Sequence, residues 1–202
     1  MKRLTIIGAG GHGKVVAETA EMDGYDDIVF RDDAYPEKQK NGPWLVVGRS
    51  GEKGGDGPVF LAIGQNRIRS RMWEDLLIED SPVLQHPSAI FSKYAKVSAG
   101  SLVAAGSIVN AGVIVGKAVI LNTGCSVDHD CRVADFVHIS PGARLAGNVS
   151  IGARSWVGIG AVVREGITIG KDVTIAAGAV VIKDVPNGQT VSGVPAKVME
   201  KR

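Results

Sequence analysis

The chain has 202 residues, 45% of them hydrophobic and 22% charged, and it carries a formal net charge of +2 at neutral pH. This length suits one large domain or two small ones, and the small net charge gives no argument for nucleic-acid binding. No apolar run is long enough to predict a membrane span, and no leader predicts a signal peptide. Two cysteines do not make a disulfide framework, so we expect a cytoplasmic, reducing location.

The N-terminal part of the chain predicts a small α/β domain. We expect strands over residues 4–7, 28–30 and 59–63, and helices over residues 12–22 and 66–77. The first strand–helix turn has glycines with the spacing G-x-G-x-x-G, at Gly8, Gly10 and Gly13. Such a turn lets a phosphate or a sugar approach the free N–H groups at the start of the helix.

Two acidic residues, Asp32 and Asp33, follow the second predicted strand. A dinucleotide-binding fold has its ribose-binding acid near this place. This segment is only about half of a full dinucleotide domain, and no second half follows. Half a fold favours a mononucleotide or a nucleotide sugar over a nicotinamide cofactor. The alternative left open is that the glycines only pack the helix against the sheet.

A six-residue repeat fills the second part of the chain. Every sixth residue from Val97 to Val181 is aliphatic, and the residue four positions after each is small or aliphatic. A period of six is not that of an amphipathic helix. It predicts short strands with a bend after each, three of which close one triangular coil. The fifteen hexads predict about five coils, with Cys125 and Cys131 as inert core thiols at inward positions.

Several segments together resemble one family. They are "GAGGHGKVV", "AIGQNRIR", "HPSAI", "LNTGCSVDHDCRVADFVHISPGARLAGNV" and "VSGVPAKVM". The chain resembles the hexapeptide-repeat acyltransferases, and among them the nucleotide-sugar acetyltransferases of the bacillosamine pathway and their sialic acid O-acetyltransferase relatives. The resemblance implies a Rossmann-like nucleotide-sugar-binding domain over residues 1–82. It also implies a left-handed parallel β-helix acetyltransferase domain with a short C-terminal cap over residues 83–202, and a homotrimer with active sites between subunits.

The activity that this resemblance implies is N-acetylation of a nucleotide-linked amino sugar by acetyl-CoA, without a metal. The expected substrate is UDP-4-amino-4,6-dideoxy-N-acetylglucosamine, giving UDP-N,N'-diacetylbacillosamine for surface glycan or glycoprotein synthesis. The alternatives are a GDP- or dTDP-4-amino sugar, or O-acetylation of a sialic acid. The resemblance assigns the nucleotide sugar to the glycine turn, the following acids and one later glycine, namely Gly10, Gly11, His12, Asp32, Asp33 and Gly64.

The candidate base is His129, which stands between two aspartates in "VDHDC". Its hexad position points outward because Val127 and Cys131 point inward, and a neighbouring carboxylate raises the basicity of an imidazole. A solvated histidine between two acids is the plain alternative. The resemblance implies His129 as the base and Asp130 as the acid that raises its basicity. It also implies the backbone N–H of Gly147, one coil further along, as the oxyanion donor.

Two outward columns of the predicted prism bear on the coenzyme. The first is small and apolar, which suits a pantetheine arm, and the resemblance places coenzyme contacts in it at Ile159 and Ala177. An ordinary stripe facing the trimer is the alternative for this column. The second is an apolar stripe that predicts a subunit interface, in which the resemblance assigns His138 to the acetyl end of the coenzyme. The second column consists of Leu102, Ile120, His138, Trp156 and Thr174.

Two other classes of protein with repeated short strands fit the sequence less well. A zinc-dependent hydratase of this kind needs three histidine ligands, and of the four histidines His12 and His86 lie outside the predicted prism. A structural or ice-binding prism would show regular outward ladders of Thr or Ser, which the two columns lack.

Overall fold

The structure, a computed structural model, describes residues 1–52, 57–78 and 80–199. A small α/β unit comes first in the chain and packs on one face of a long parallel β-solenoid. Within the described residues no helix is both long and apolar enough to cross a membrane.

The α/β unit is a five-stranded sheet with two helices. Its strands lie in the order β3-β4-β2-β1-β5, and all neighbours are parallel except the β3–β4 pair. The pair β3–β4 was not predicted from the sequence, because β3 is a polar dipeptide and β4 buries only alternate residues. The elements are β1 (Arg3–Ile7), α1 (Gly11–Met22), β2 (Asp27–Arg31), β3 (Lys40–Asn41), β4 (Trp44–Gly48), β5 (Val59–Leu61) and α2 (Asn66–Asp75).

The solenoid is a left-handed parallel β-helix whose strands from β6 to β22 are two residues long and recur at six-residue spacing, whereas the last two strands depart from this spacing and pair antiparallel. Three sheets form its faces, and its narrow interior is one continuous core of Val, Ile, Leu, Ala and Cys side chains. The strands are β6 (Leu84–Gln85), β7 (Ile90–Phe91), β8 (Lys96–Val97), β9 (Leu102–Val103), β10 (Ile108–Val109), β11 (Ile114–Val115), β12 (Ile120–Leu121), β13 (Ser126–Val127), β14 (Arg132–Val133), β15 (His138–Ile139), β16 (Arg144–Leu145), β17 (Ser150–Ile151), β18 (Trp156–Val157), β19 (Val162–Val163), β20 (Thr168–Ile169), β21 (Thr174–Ile175), β22 (Val180–Val181), β23 (Thr190–Ser192) and β24 (Lys197–Val198).

Each face of the solenoid is one sheet, here named B, C and D. Sheet B runs from β6 to β24, sheet C from β7 to β22 and sheet D from β8 to β20. The sheets hold eight, six and five strands, so the prediction of about five coils is too low. The solenoid begins at Leu84, before the aliphatic repeat. The repeat does not reveal this first strand, because Gln85 stands at a position that is aliphatic in the later hexads.

The stripe of outward apolar residues on sheet B is covered within the same chain. Leu84, Leu102 and Ile120 are buried in one cluster with residues of α1 and of the α/β sheet. The prediction that this stripe forms a subunit interface is therefore wrong at Leu102 and Ile120. The period of the repeat shows only that these residues point outward, and the α/β unit supplies the apolar surface that they cover.

Candidate active site

The glycine turn connects the C-terminal end of β1, an inner strand of the α/β sheet, to the start of α1. Gly8 has a φ of +104°, and a Cβ on Gly13 would collide with the Gly8 carbonyl oxygen, so both need glycine for packing. A Cβ on Gly10 or Gly11 would meet nothing within 4 Å. These two glycines therefore face open space beside the start of α1, which has no side-chain cap.

The predicted acidic pair shapes this turn. Asp32 accepts the Ala9 N–H at 2.6 Å with Oδ2 and the Ala34 N–H at 3.0 Å with Oδ1. Asp33 accepts a hydrogen bond from the Ser50 hydroxyl. Both carboxylates thus have partners inside the chain, and direct contact with a ligand stays a prediction for each.

His12, at the start of α1, meets the solenoid near His138. The ring centroids of His12 and His138 are 6.3 Å apart, and His138 stacks on Trp156 at 4.9 Å and 19°. Burial and then the positive charge of Arg69 lower the pKa of His12 to about 4 and that of His138 to about 3. A backbone contact with Gly64 acts on the His138 pKa in the opposite direction. Both imidazoles are therefore neutral at physiological pH.

An open groove of about 520 Å³ runs from His138 along the corner between sheets B and C. Its lining is mostly apolar, and Ile159 and Ala177 are both exposed in it. At one end Asn122 Nδ2 lies 3.0 Å from His138 Nε2. The predicted coenzyme contacts His138, Ile159 and Ala177 thus line one groove, whose shape suits an extended apolar chain.

His129 lies at a different corner, between sheets C and D. Its Nδ1 is 2.9 Å from Asp130 Oδ2, and 56% of its side chain is exposed. This hydrogen bond is the main reason that the pKa of His129 is raised, and the charge of Asp128 adds to it. With Nδ1–H donating to the carboxylate, Nε2 keeps a free lone pair, as a base requires.

The turn that carries His129 is held by its own network. Asp128 Oδ1 accepts the backbone N–H of His129 at 2.7 Å and the Asn110 amide at 2.8 Å, and both bonds lower the pKa of Asp128. Asp130 has a φ of +60°, and a Cβ on Gly112, one coil earlier, would collide with its carboxylate. The turn therefore orients the Asp130 carboxylate toward the imidazole.

Gly147 lies directly under the imidazole. A Cβ on Gly147 would come within 2.5 Å of His129 Cε1 and Nε2. Among the described residues no acceptor pairs with the Gly147 N–H. A free N–H close to Nε2 suits the oxyanion of a carbonyl under attack, because the base and the donor then face the same reacting carbon.

The sequence-predicted residues form two groups in one chain. The glycine turn, His12, Gly64 and the coenzyme groove meet at the junction of the α/β unit with sheet B, whereas His129, Asp130 and Gly147 lie at the corner between sheets C and D. Sheet C separates the two corners. The groove lining does not include His129.

Sequence reasoning missed three polar residues at these places. Asn110 and Asp128 differ by one full coil, so stacking arithmetic applied to the aspartate could have found Asn110. Asn122 precedes His138 by almost one coil, which gives the same kind of signal. Arg69 gives no such signal, since its partners are distant in the sequence. Over residues 1–52, 57–78 and 80–199, no group of three or more His, Cys, Asp or Glu side chains is placed to hold a metal ion.

Two family models match the chain. One is described as the PglD N-terminal domain and matches residues 3–76. The other is described as bacterial transferase hexapeptide (six repeats) and matches residues 148–183. The first lies in the α/β unit and the second in the solenoid.

Solved and curated relatives match the chain over nearly its whole length. The acetyltransferase domain of PglB from Neisseria gonorrhoeae FA1090, in complex with acetyl coenzyme A, is 44% identical with a TM-score of 0.92, covering 98% of this chain and 99% of that chain. A mutant of perosamine N-acetyltransferase from Caulobacter crescentus, in complex with CoA and GDP-perosamine, is 34% identical with a TM-score of 0.91, covering 100% and 98%. The GDP-perosamine N-acetyltransferase of Escherichia coli O157:H7 is 29% identical over 217 residues, covering 100% of this chain and 98% of that protein.

These matches extend across both the glycine turn and the solenoid, so they include every part of the site described above. With its groove and its histidine corner, the chain is an acyltransferase that uses acetyl-CoA, and it belongs to the hexapeptide-repeat family of nucleotide-sugar N-acetyltransferases.

Proposed function

We propose that the protein transfers the acetyl group of acetyl-CoA to the 4-amino group of a nucleotide-linked 4-amino-4,6-dideoxy sugar, with a UDP-linked N-acetylglucosamine derivative as the first candidate. The observation that carries this proposal is the cluster of Asp130, His129 and Gly147. It places a histidine with a raised pKa beside a free backbone N–H on the solenoid surface.

In the proposed reaction the sugar amine attacks the thioester carbonyl. His129 Nε2 takes the proton from the amine nitrogen, and Asp130 stabilises the imidazolium that forms. The negative charge that develops on the carbonyl oxygen is stabilised by the Gly147 N–H. The carbon–sulfur bond then breaks, the amide remains on the sugar, and coenzyme A leaves as the thiol after its sulfur takes the proton from the His129 imidazolium, which restores the neutral base.

The α/β unit, residues 1–82, is proposed to hold the nucleotide sugar. The open space at Gly10 and Gly11 and the uncapped start of α1 suit its diphosphate. In this proposal Asp32 and Asp33 act on the nucleotide end, and His12 and Gly64 lie toward the sugar. The second unit, residues 83–202, holds acetyl-CoA with its acetyl end at His138 and its pantetheine arm along Ile159 and Ala177.

A homotrimer with active sites between subunits is also proposed. Within one chain sheet C separates the groove from His129, so the two can face each other only across a boundary between chains. The outward residues of sheet C include the aliphatic side chains Ile90, Ile108, Val162 and Val180, of which Ile90 is 65% and Val162 41% exposed. If sheet C faces a threefold axis, the groove corner of each chain lies against the histidine corner of a neighbour.

A second candidate substrate is GDP-perosamine. Relatives that are 29% and 34% identical over the whole chain are named for acetylation of perosamine or GDP-perosamine. Both candidates present an amino sugar on a nucleoside diphosphate, so the site chemistry above serves either.

The two cysteines are free and buried, which agrees with a protein that acts in the reducing cytoplasm.

A substrate panel tests the proposal. Purified protein would be given acetyl-CoA with UDP-, GDP- and dTDP-linked 4-amino sugars and with free sialic acid, and thiol release would be followed. We expect turnover with a nucleotide 4-amino sugar and none with sialic acid. Turnover of sialic acid alone would overturn the proposal in favour of O-acetylation.

A further inference from the structure

The junction between the α/β unit and the solenoid contains a buried cation. Arg69, on α2, is only 1% exposed and is among the largest fully buried side chains of the protein. Burial lowers the pKa of its guanidinium to about 9. Burying a charge without an opposite charge is unfavourable unless all of its donors find acceptors.

The N–H groups of the Arg69 guanidinium donate to neutral carbonyl and amide oxygens. No carboxylate is paired with it among the described residues, and its six hydrogen bonds go to five backbone carbonyls and one side-chain amide. The acceptors within the α/β unit are Ile63 at 2.6 Å, Gly64 at 3.2 Å and Asn66 Oδ1 at 2.8 Å. The acceptors on the solenoid are Ala118 at 2.8 Å, Phe136 at 2.9 Å and Val137 at 3.3 Å.

The planar fork of the guanidinium makes this contact directional. Nε and Nη2 donate hydrogen bonds to the solenoid, and Nη1 donates to the loop after β5. Because these donors lie in one rigid plane, they set both the distance and the angle between the two units. Asn66 extends the contact, because its Nδ2 donates to the carbonyls of Arg154 at 3.1 Å and Ser155 at 3.0 Å. An apolar side chain could fill the same volume but could not hold the carbonyls in register.

The segments that Arg69 joins are the two sides of the reaction site. Gly64 belongs to the loop that contacts His138, and Phe136 and Val137 directly precede His138 on the solenoid. Trp156, which stacks on His138, lines the groove beside it. A shift of α2 relative to the solenoid would therefore move the loop at Gly64 away from the acetyl end of the groove.

We propose that Arg69 is a positioning residue, which holds the nucleotide-sugar-binding unit at the distance and angle from the coenzyme groove that acetyl transfer requires. The inference rests on the proposed function for what binds on each side. It predicts that loss of the guanidinium lowers the rate of the chemical step more than it weakens the binding of either substrate.

Arg69→Met tests this, since methionine keeps an unbranched apolar side chain and removes every donor. The matched control is Arg71→Met on the same helix, where the side chain is 84% exposed and, among the residues that the structure describes, forms an ion pair with Asp75 alone. With the nucleotide sugar that the wild type turns over, we expect Arg69→Met to lose about 10- to 100-fold in kcat, the scale of a small misplacement. The KM for acetyl-CoA should change by less than about twofold, and Arg71→Met should match the wild type. Arg69→Lys should recover part of the rate.

Hydrogen exchange gives a readout that does not need the substrate. In Arg69→Met the backbone amides around residues 62–66, 118 and 136–138 should exchange faster, while those of the solenoid beyond residue 160 should be unchanged. If the wild type turned over no nucleotide sugar, the proposed function would fail, but this exchange pattern would still test the clamp. Wild-type kcat in Arg69→Met, or a loss confined to the acetyl-CoA KM, would refute the positioning role.

A destabilised Arg69→Met protein does not end the test. In that case Arg69→Lys is used instead, since lysine keeps the positive charge but has fewer donors than arginine. Its kcat and its hydrogen exchange are then measured in the same way. Reduced kcat with local faster exchange supports the proposal, and unchanged kcat with unchanged exchange refutes it.

Discussion

At the scale of single residues, the proposed chemistry depends on His129 and on the free lone pair of its Nε2. We expect His129→Ala to lower kcat by about two to four orders of magnitude, the range typical of a lost general base. The measurement is thiol release from acetyl-CoA at saturating substrates. His86→Ala is the control, because His86 is another solenoid histidine, and its hydrogen bonds are local, to Ser88. Near-normal turnover in His129→Ala at neutral pH would contradict the assignment of the base.

Asp130 should set the pH at which His129 works. Its hydrogen bond raises the pKa of His129 above the ordinary value of 6.5, and the base is active only when neutral, so activity falls as the pH drops through that raised pKa. Asp130→Asn removes the negative charge, so the pKa should fall back toward 6.5 and the acidic limb of the kcat profile should move to lower pH. The plateau kcat should also fall, because a less basic imidazole is a weaker base.

The pH–rate profile of Asp130→Asn would be compared with that of Asp135→Asn. Asp135 accepts a hydrogen bond from the Lys117 N–H on the same solenoid and does not touch the imidazole, so its variant should keep the wild-type acidic limb. An acidic limb that stays in place in Asp130→Asn would show that the carboxylate does not govern the titration of His129.

At the scale of elements, the glycine turn between β1 and α1 contains glycines needed for packing and glycines that we propose admit the nucleotide sugar. Gly11 faces open space, so Gly11→Val should leave the fold intact and still obstruct a ligand at the start of α1. We expect a higher KM for the nucleotide sugar, an unchanged KM for acetyl-CoA and a near-wild-type Tm. Steady-state kinetics and thermal unfolding measure all three.

Gly13→Ala is the opposite case on the same helix. Its Cβ would collide with the Gly8 carbonyl oxygen, so this variant should lose stability as well as binding. If Gly11→Val kept wild-type affinity for the nucleotide sugar, the turn would serve only to pack α1 against the sheet.

At the scale of the whole molecule, the separation of His129 from the groove predicts complementation between inactive chains. His129→Ala lacks the base, and Ala177→Glu places a charge in the groove. Co-expressed with different tags and purified as mixed oligomers, the two variants should regain about a quarter of the wild-type rate, since random pairing gives that share of sites with both corners intact.

The control for complementation is each variant assayed alone and after simple mixing without subunit exchange. Both should stay at the background of the single variants. Mixed oligomers that remain at that background would show that each site is built within one chain, and light scattering that gives a monomer would exclude the trimer.

The strands of the solenoid could be predicted from the sequence because its interior imposes the same constraint on every hexad. A narrow prism accepts only aliphatic or small side chains at two positions in six, so the period by itself gives the strands from Val97 to Val181 and shows which residues point inward. The pairing of His129 with Asp130 was also predictable, since the two are adjacent in the chain. The turn glycines were predictable from spacing, whereas the short strands Lys40–Asn41 and Trp44–Gly48 were not, because tertiary pairing outweighs their weak local pattern.

The residues that face the core and those that stand at the turns can be read from the chain alone, because those properties repeat along it. Which outward face is covered depends on how the two units pack. Leu102 and Ile120 looked like a surface for another subunit, and they are buried in one cluster with residues of the α/β unit of the same chain. The junction where His12 meets His138 and Arg69 bonds two distant segments exists only after the units pack. The repeat does not distinguish one outward face of a prism from another. Contacts between residues far apart in the chain therefore determine which face is buried.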